Sequence, residues 1–403
     1  MDLTLSAAQQ QLLSGIRAFI AREGDRSPQV GGGRKKPSQR VLEWQRLLIE
    51  QGYAARNMPR EYGGFGAPFD SIELALISEE FSKAGIFPGI MNQGTHMLAP
   101  TLLELGTEEQ RRKWIGPAIR GEMIWSAGLS EREAGSDLRS LKTQARFDGV
   151  EFVLDGEKAW ISSAHYADML FVLCRAVSDQ PSKAFTMVLV PISAPGVEIE
   201  RLPTITGRAE FNIVSFRNVR VPADHIIQGP EDGWRVALTT FRNERAGLGG
   251  TYKLVQRLTR IAVLMKALPQ TVPGYAGYRD RLLRLQGAVF AWRAHGMRVT
   301  SSRGEGDEKI LPLIVKVGVT DLEYRLSSLA LDILGTGSLR YEPGPEDAEV
   351  DESSLWNLDN LYDLGLLIGG GSANIQKNTI AEQGLGLPPE LRPGRTTPAG
   401  GTR

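Results

Sequence analysis

The chain has almost no cysteine. Cys174 is the single thiol among 403 residues, so no internal disulfide can form. Inside the apolar run "MLFVLCRA" it reads as a small core side chain rather than a nucleophile. Histidine is nearly as scarce. None of His96, His165, His225 or His295 stands beside cysteine or acidic residues at metal-ligand spacing, so no metal site is expected. No charge is in excess: Lys+Arg and Asp+Glu are 47 each. That balance argues against a nucleic-acid or membrane-surface role. No apolar run is long enough to cross a bilayer, and "MDLTLSAAQQQ" lacks the basic-then-apolar order of a secretory leader, so a cytoplasmic location is expected. Neither a P-loop nor a GxGxxG follows any strand-like run, which speaks against an ordinary dinucleotide fold.

What is present, 41% hydrophobic and 23% charged residues, is ordinary for a globular chain of two or three domains. The first 122 residues read as helical. In "LLSGIRAFIARE", Leu12, Leu13, Ile16, Phe19 and Ile20 share one face. "RVLEWQRLLIEQG" does the same with Val41, Trp44, Leu47 and Leu48, and stops at Gly52 as a left-handed cap. "SIELALISEEFSKAG" and "GTEEQRRKWIGPAI", the latter capped by Thr107, follow as helices. "QVGGGRKKPSQR" and "MPREYGGFGAP" are loops.

Residues 123–231 change to strand patterning. "GVEFVLDG" alternates between turn glycines, "AFTMVLVPI" is apolar enough to be buried on both faces, "GVEIERL" alternates, and "EFNIVSFRNVRVP" alternates with a turn expected at Asn218. Such spacing predicts a small β-sandwich or barrel. From 232 to 388 the helical period returns in "KLVQRLTRIAVLMKAL", "YRDRLLRLQGAVFAWRAHG" and "LPLIVKVGVTDLEYRLSSLALDILG". The charged, glycine-bearing loops "SSRGEGDEK" and "YEPGPEDAEVDESS" interrupt it. Residues 389–403 have the composition of a disordered tail. A β domain between two helical domains makes clefts at the domain boundaries, where pockets favour forming.

The segment with chemical content is "WSAGLSEREAGSDLRSLKTQARFDGVEFVLDGEKAWISSAHYAD". It offers backbone amides in a glycine turn, the hydroxyls of Ser130 and Ser162, and the aromatic face of Trp160, a set able to hold a planar heterocycle. On spacing alone, a hairpin with surface serines and a core tryptophan explains it equally well.

The order "GTEEQRRKW…GE…SEREAGSDLRSLKTQA…DGEKAWISSAHYAD…PGVE…VRVP…GW…ER…GGGSANIQKN", from about residue 5 to 388, resembles the acyl-CoA dehydrogenase family. The resemblance implies an α+β fold: an N-terminal helical domain, a middle β-sandwich or barrel, and a C-terminal four-helix bundle. It also implies non-covalent FAD and oxidation of an acyl-CoA thioester to the 2,3-enoyl thioester. By position it assigns Ala127, Gly128, Leu129 and Ser130 to the pyrimidine end of the flavin. Gly135 and Ser136 go to the turn near the phosphates and thioester. Trp160, Ile161 and Ser162 match the segment that packs on the flavin and reaches N5. Gly370, Gly371, Ser372 and Asn374 match the helix start whose amide dipoles suit an anion. Arg279 matches, more loosely, an arginine reaching a neighbouring subunit's FAD. The family pattern "SEPGAGSD" is altered here to "SEREAGSD", so Arg132 and Glu133 replace Pro-Gly in a turn that touches the cofactor.

Removing an α-proton from a thioester needs a base and stabilisation of the developing enolate oxygen. The resemblance assigns one oxyanion contact to the backbone amide of Gly370. In many relatives the catalytic Glu sits at the Gly370 position. A subset carries it on the first long helix of the C-terminal domain just before an Arg, and "TTFRNERAGLGG" puts Glu244 before Arg245 there. Glu244 is therefore the expected base, against the plainer reading of a surface glutamate in an ion pair. Arg245 is expected to orient it at the substrate site. This branch of the family acts on bulky, branched or ring-bearing acyl-CoAs, including steroid side chains. An electron-transfer flavoprotein is the implied acceptor, and the implied assembly is a homo-oligomer or a heteromer with a related subunit. Two other readings stand beside it: a non-catalytic or half-competent partner subunit, and a flavin oxidase or monooxygenase. His96 is expected to line the substrate end or simply to cap a helix, and His165 to lie near the flavin edge. His225 and His295 read as structural.

Overall fold

The computed structural model describes residues 4–28, 36–177, 184–247, 252–301, 310–339, 341 and 351–389. Residues 29–35, the charged loops at 302–309 and 342–350, the last two glycines of "AGLGG" and nearly all of the tail expected to be disordered lie outside the described residues.

The N-terminal domain is helical: α1 (Ala7–Glu23), α2 (Gln39–Glu50), α3 (Ser71–Lys83), a π-helical turn at Gly94–Leu98, α4 (Ala99–Leu105) and α5 (Glu108–Ile119). The starts are set locally. Ser6 and Thr107 each accept from the N3 amide, while the N3 glutamines, Gln9 and Gln110, return the bond to the cap amides, two capping boxes. α2 ends where Gly52 turns to φ 75°. Ile16, Phe19, Trp44, Leu48, Ile77 and Phe81 close one core.

The middle domain holds β1 (Trp125–Gly128), β2 (Gln144–Phe147), β3 (Glu151–Ser162), β4 (Met169–Val177), β5 (Phe185–Pro191), β6 (Val197–Leu202) and β7 (Phe211–Pro222). The expected sandwich or barrel takes the form of one seven-stranded sheet in the order β1-β4-β2-β3-β7-β6, with β5 also paired to β4. β1 and β2 lie end to end along one edge of β4: Gly128 is level with Val172, and Gln144 with Arg175, both parallel. β5 is buried along nearly its whole length, as its apolar run requires.

Two turns expected here are absent. Gly156 does not end a strand. β3 runs through it at φ 140°, where an added Cβ would fall 2.6 Å from the Cα of Thr143, so glycine permits the close approach of β2. Asn218 sits inside β7 at φ 51°, opposite a register shift between Leu154 and Gly156. It is a bulge residue, its amide donating to Asp155 Oδ1 at 2.8 Å.

The C-terminal domain is helical: α6 (Gly233–Gly247), α7 (Tyr252–Ala267), α8 (Tyr275–Ser301), α9 (Leu311–Leu334), α10 (Glu352–Leu366) and α11 (Ala373–Thr379). α7 to α10 share a core of Leu254, Ile261, Leu285, Val289, Leu322, Leu326 and Trp356. α6 does not join that core. Its Val236 and Ala237 are buried with Leu98 and Leu102 of the N-terminal domain and Met187 and Leu189 of the sheet. The first helix of the C-terminal domain is thus locked onto the other two, which carries Glu244 to their junction.

Candidate active site

Two groups of residues are each drawn together. The first is at the sheet. Ala159 N donates to Ser130 O at 2.9 Å, and Gly128, Lys158 and Ile161 meet: an added Cβ on Gly128 would lie 3.5 Å from Ile161 and 3.6 Å from Lys158. Ala127 N donates to Gln93 Oε1 at 2.7 Å. Trp160 is the one aromatic in this group. It is 57% exposed and stands at φ 61°, a backbone region disfavoured for a bulky side chain. The bend lies in an irregular stretch of the β3–β7 register and leaves the indole facing outward, open to a planar partner.

Beneath this surface lies a buried ion pair. Lys158 Nζ donates to Leu129 O at 3.0 Å and to Glu131 Oε1 at 2.9 Å. The amides of Lys142 and Thr143 complete the shell of Glu131 at 2.7 and 2.8 Å. Burial works to raise the Glu131 carboxyl, but Lys158 and these bonds outweigh it and hold it below the usual range. Burial pushes the Lys158 ammonium down. Neither residue had a signal in the sequence beyond its place in the motif. Asn212, equally unmarked, donates from Nδ2 to Ile161 O at 2.9 Å and lies 3.1 Å from His165 Nδ1. His165 therefore acts through Asn212 on the strand that carries Ser162. The departure from Pro-Gly does not fill the site. Arg132 pairs with Glu157 at 2.8 Å and Glu133 with Lys142 at 2.9 Å, all on exposed side chains.

The second group lies where α6, α9 and the glycine turn meet. Gly370 and Gly371 have φ of 66° and 90°, a corner that L side chains rarely adopt. Ser372 then caps α11, its Oγ accepting from Ile375 N. A Cβ added to Gly370 would stand 3.7 Å from Glu244 Oε1 and 3.8 Å from Lys316 Cε. The helix-borne acid thus reaches the place where a side chain at 370 would begin. The residue before it is tied to the N-terminal domain, Asn243 Nδ2 donating to Thr101 Oγ1 at 3.1 Å.

The π-helical turn links the groups. It packs against both α6 and β1, and Gln93, just before it, takes the Ala127 amide. Such a turn inside a helix is frequent at functional sites. His96 lies on it; burial pushes its imidazole below the usual value, against the opposing pull of the Asn92 backbone, so it is neutral at pH 7. Its Nδ1 is buried without a hydrogen-bond partner, as are Ser126 Oγ and Trp125 Nε1. His225 is a packing residue: its Nδ1 lies 2.8 Å from Leu189 O and its ring meets Trp114 edge-on. His295 packs edge-on against Trp292. Cys174 is buried and its thiol is pushed up to about 12 by burial, as fits a core residue.

The remaining site expectations are not drawn into either group. Gly135 and Ser136 form an exposed turn beside the Glu131–Ala134 bridge. Asn374 is exposed on α11, and Arg279 is exposed on α8, which packs on α3, α7 and α9 rather than on the sheet. The side chain of Arg245 lies outside the described residues. Among the described residues, no group of three His, Cys, Asp or Glu is placed to hold a metal, and no helix is long and apolar enough to cross a membrane.

The acyl-CoA dehydrogenase family descriptions match in three consecutive stretches: the N-terminal domain at residues 6–122, the middle domain at 126–219 and the C-terminal domain at 231–385. The curated acyl-CoA dehydrogenase IpdE1 of Mycobacterium tuberculosis is 33% identical over 356 residues, 87% of this chain and 88% of that protein. Among solved structures, the Tcur3481-Tcur3483 steroid ACAD superposes with a TM-score of 0.78 at 25% identity, over 97% of this chain and 100% of that one. A glutaryl-CoA dehydrogenase from Mycobacterium smegmatis in complex with FADH2 superposes with a TM-score of 0.71 at 18% identity, over 95% of each chain. With its three domains matching in the family's order, the chain belongs to the acyl-CoA dehydrogenases, FAD-dependent oxidoreductases of acyl-CoA thioesters.

Proposed function

We propose that this chain dehydrogenates an acyl-CoA to the 2,3-enoyl-CoA with Glu244 as the base. One observation carries the reading: Glu244 Oε1 lies 3.7 Å from the point where a Cβ on Gly370 would stand. A glutamate at 370 and the glutamate at 244 would serve the same volume from opposite walls, and here only the second wall has a carboxylate. The backbone N–H of Gly370, the oxyanion contact that the family resemblance assigns, would hold the thioester oxygen as negative charge develops on it. Water is excluded from this volume by bound substrate, which strengthens both contacts.

The residues present fit a flavin. Trp160 offers an uncovered aromatic face, Ser130 is bonded through its carbonyl to the neighbouring Ala159 amide, Ser162 follows Trp160 two residues on along β3, and the amides at the start of α11, around Gly370 to Asn374, suit the cofactor's anionic end. The chemistry that FAD supplies when bound is acceptance of the β-hydride at its N5. Lys158 and Asn212 keep the two strands that would hold it in register.

The acyl chain is of the bulky or ring-bearing class, including steroid side chains, and an electron-transfer flavoprotein is the acceptor. A second subunit of the same family, identical or related, covers the exposed apolar residues near the corner, Ile368 at 71% and Ile375 at 39% exposure. The test is an anaerobic titration of purified protein with a panel of acyl-CoAs, watching the flavin absorbance. Glu244→Gln is expected to stay yellow and to bind ligand while losing bleaching by at least about a thousandfold, as removal of an essential base does. Bleaching at the parental rate would move the base elsewhere.

A further inference from the structure

We propose that Lys316 is the positioning residue that sets Glu244 against the glycine corner. The inference rests on the reading of Glu244 as the base and adds to it the group that prepares that base.

Lys316 is 3% exposed, in the interior of α9 with Val315 and Val319 as buried neighbours. A lysine is among the residues most rarely buried, and the cost of desolvating it demands partners. One is on the page. Nζ donates to Leu366 O at 2.6 Å, and Leu366 is the last residue of α10, so the ammonium sits on the negative end of that helix. A helix end can be capped from solvent by an exposed lysine at far smaller cost. The second observation accounts for the burial. The stem of Lys316 lies 3.8 Å, and Glu244 Oε1 3.7 Å, from the same point above Gly370. One side chain thus reaches both the chain entering the corner and the volume that the acid occupies.

Other charges around α6 do not do this. The elements packed on α6 are the π-helical turn, α4, β4, β5 and α9. His96 on the turn is pushed toward its neutral form by burial. Glu104 on α4 is taken by Arg242 of α6. Arg175 on β4 donates to Arg139 O and Leu141 O. On α9 itself, Asp321 pairs with Arg325 and Asp332 with Arg281, and burial pushes the Glu323 carboxyl up. β5 carries no titratable group. On α6, Arg235 lies in the first turn, and the side chain of Arg245 is outside the described residues.

In a water-poor pocket a fixed ammonium whose stem borders the same volume as a carboxylate favours the ionised acid and draws it to that side. Lys316 therefore keeps Glu244 ready to accept a proton and aimed across the corner. Because the ammonium is held by Leu366 O, the acid is indexed to the turn whose Gly370 amide would meet the thioester oxygen in the proposed site. Base and oxyanion donor are thus registered by one side chain.

Lys316→Gln separates charge from packing, since a carboxamide can still donate to the Leu366 carbonyl. In the reconstituted holoenzyme, the acid limb of anaerobic flavin bleaching is expected to move up by about one to two pH units in K316Q, the range for loss of a nearby opposite charge. Lys316→Arg is expected to keep it near the parental position. A residue that only caps α10 would lower thermal stability and leave the limb in place, and an unmoved limb overturns the proposal. A second readout needs neither turnover nor a folded lysine variant. The Glu244 carboxylate band, assigned by its loss in the infrared difference spectrum of E244Q, is expected at the ionised position in the parent protein at pH 7. A protonated carboxyl band at pH 7 overturns the proposal. The base assignment fails separately: that failure is E244Q still bleaching, whereas K316Q with an unmoved limb beside an inert E244Q removes Lys316 alone.

Discussion

Replacing Lys158 by methionine should loosen the strand ends assigned to the cofactor in the proposed site, and the size of the effect follows from the structure. The Lys158 side chain has no exposed surface and Glu131 only 11%. Removing one member of a buried pair typically costs about 3–5 kcal/mol, because the other charge stays behind. The amides of Lys142 and Thr143 still serve Glu131, which places Lys158→Met at the lower end, about 3 kcal/mol. Leu129 O loses its donor as well, adding about 1 kcal/mol. A total of about 4 kcal/mol corresponds to roughly a thousandfold faster opening in native-state hydrogen exchange. The amides to watch are Thr143, bonded to Glu131, and Ala159, bonded to Ser130 O. FAD retention should fall in parallel, because Leu129 and Ser130 are among the residues that hold it in the proposed site. The double variant K158M/E131L removes both charges and should recover most of the loss, since a buried pair exchanged for apolar side chains is often neutral. Protection within about 1 kcal/mol of the parent in K158M, or a double variant no better than the single one, would show that this pair does not fix the loop.

The two corner glycines should respond differently to alanine. At Gly370 the added Cβ meets only ordinary contacts, and the cost is the left-handed backbone, about 1 kcal/mol. At Gly371 it also falls 2.2 Å from the side chain of buried Gln376, so about 2–3 kcal/mol is expected. Urea unfolding ranks them, and the opposite order would contradict the corner geometry. Asp148 offers a pH test. The amides of Glu151 and Val150, then Arg220, pull its carboxyl down to about 2 from 3.8. Its contribution to stability is therefore complete above the ordinary carboxylate range and is lost as pH falls through about 2. A carbon-13 titration of the Asp148 carboxyl with a midpoint at its ordinary value would show that the turn does not hold it.

Periodicity made the helices legible. Ile16 and Phe19, or Val41 and Trp44, are buried where their spacing puts them. The strands were harder where backbone exceptions fall inside them. Gly156 and Asn218 look like turn residues, yet one permits the approach of β2 and the other forms a bulge. The partners of the site were silent for a different reason. Lys158, Asn212 and Lys316 matter through residues far away in sequence, at separations of 27, 51 and 50, and no local pattern encodes such a bond. Glu244 and the glycine corner entered together through the family resemblance. The structure adds that the first helix of the C-terminal domain packs with the other domains, and that its acid and Gly370 are neighbours.

β1 and β2 occupy one edge of β4 in succession, so the segment from Leu129 to Thr143 leaves that strand at Val172 and returns at Arg175, a gap of about 10 Å at strand rise. It behaves as an arch with both feet cemented to one beam. Exchanges at the crown, such as Arg132 and Glu133, are absorbed by exposed ion pairs without shifting the footings. Lengthening a flexible crown costs only about 0.6 kcal/mol per doubling. Evolutionary change in this arch can therefore retune what its outer rim touches while the footings on β4 stay put.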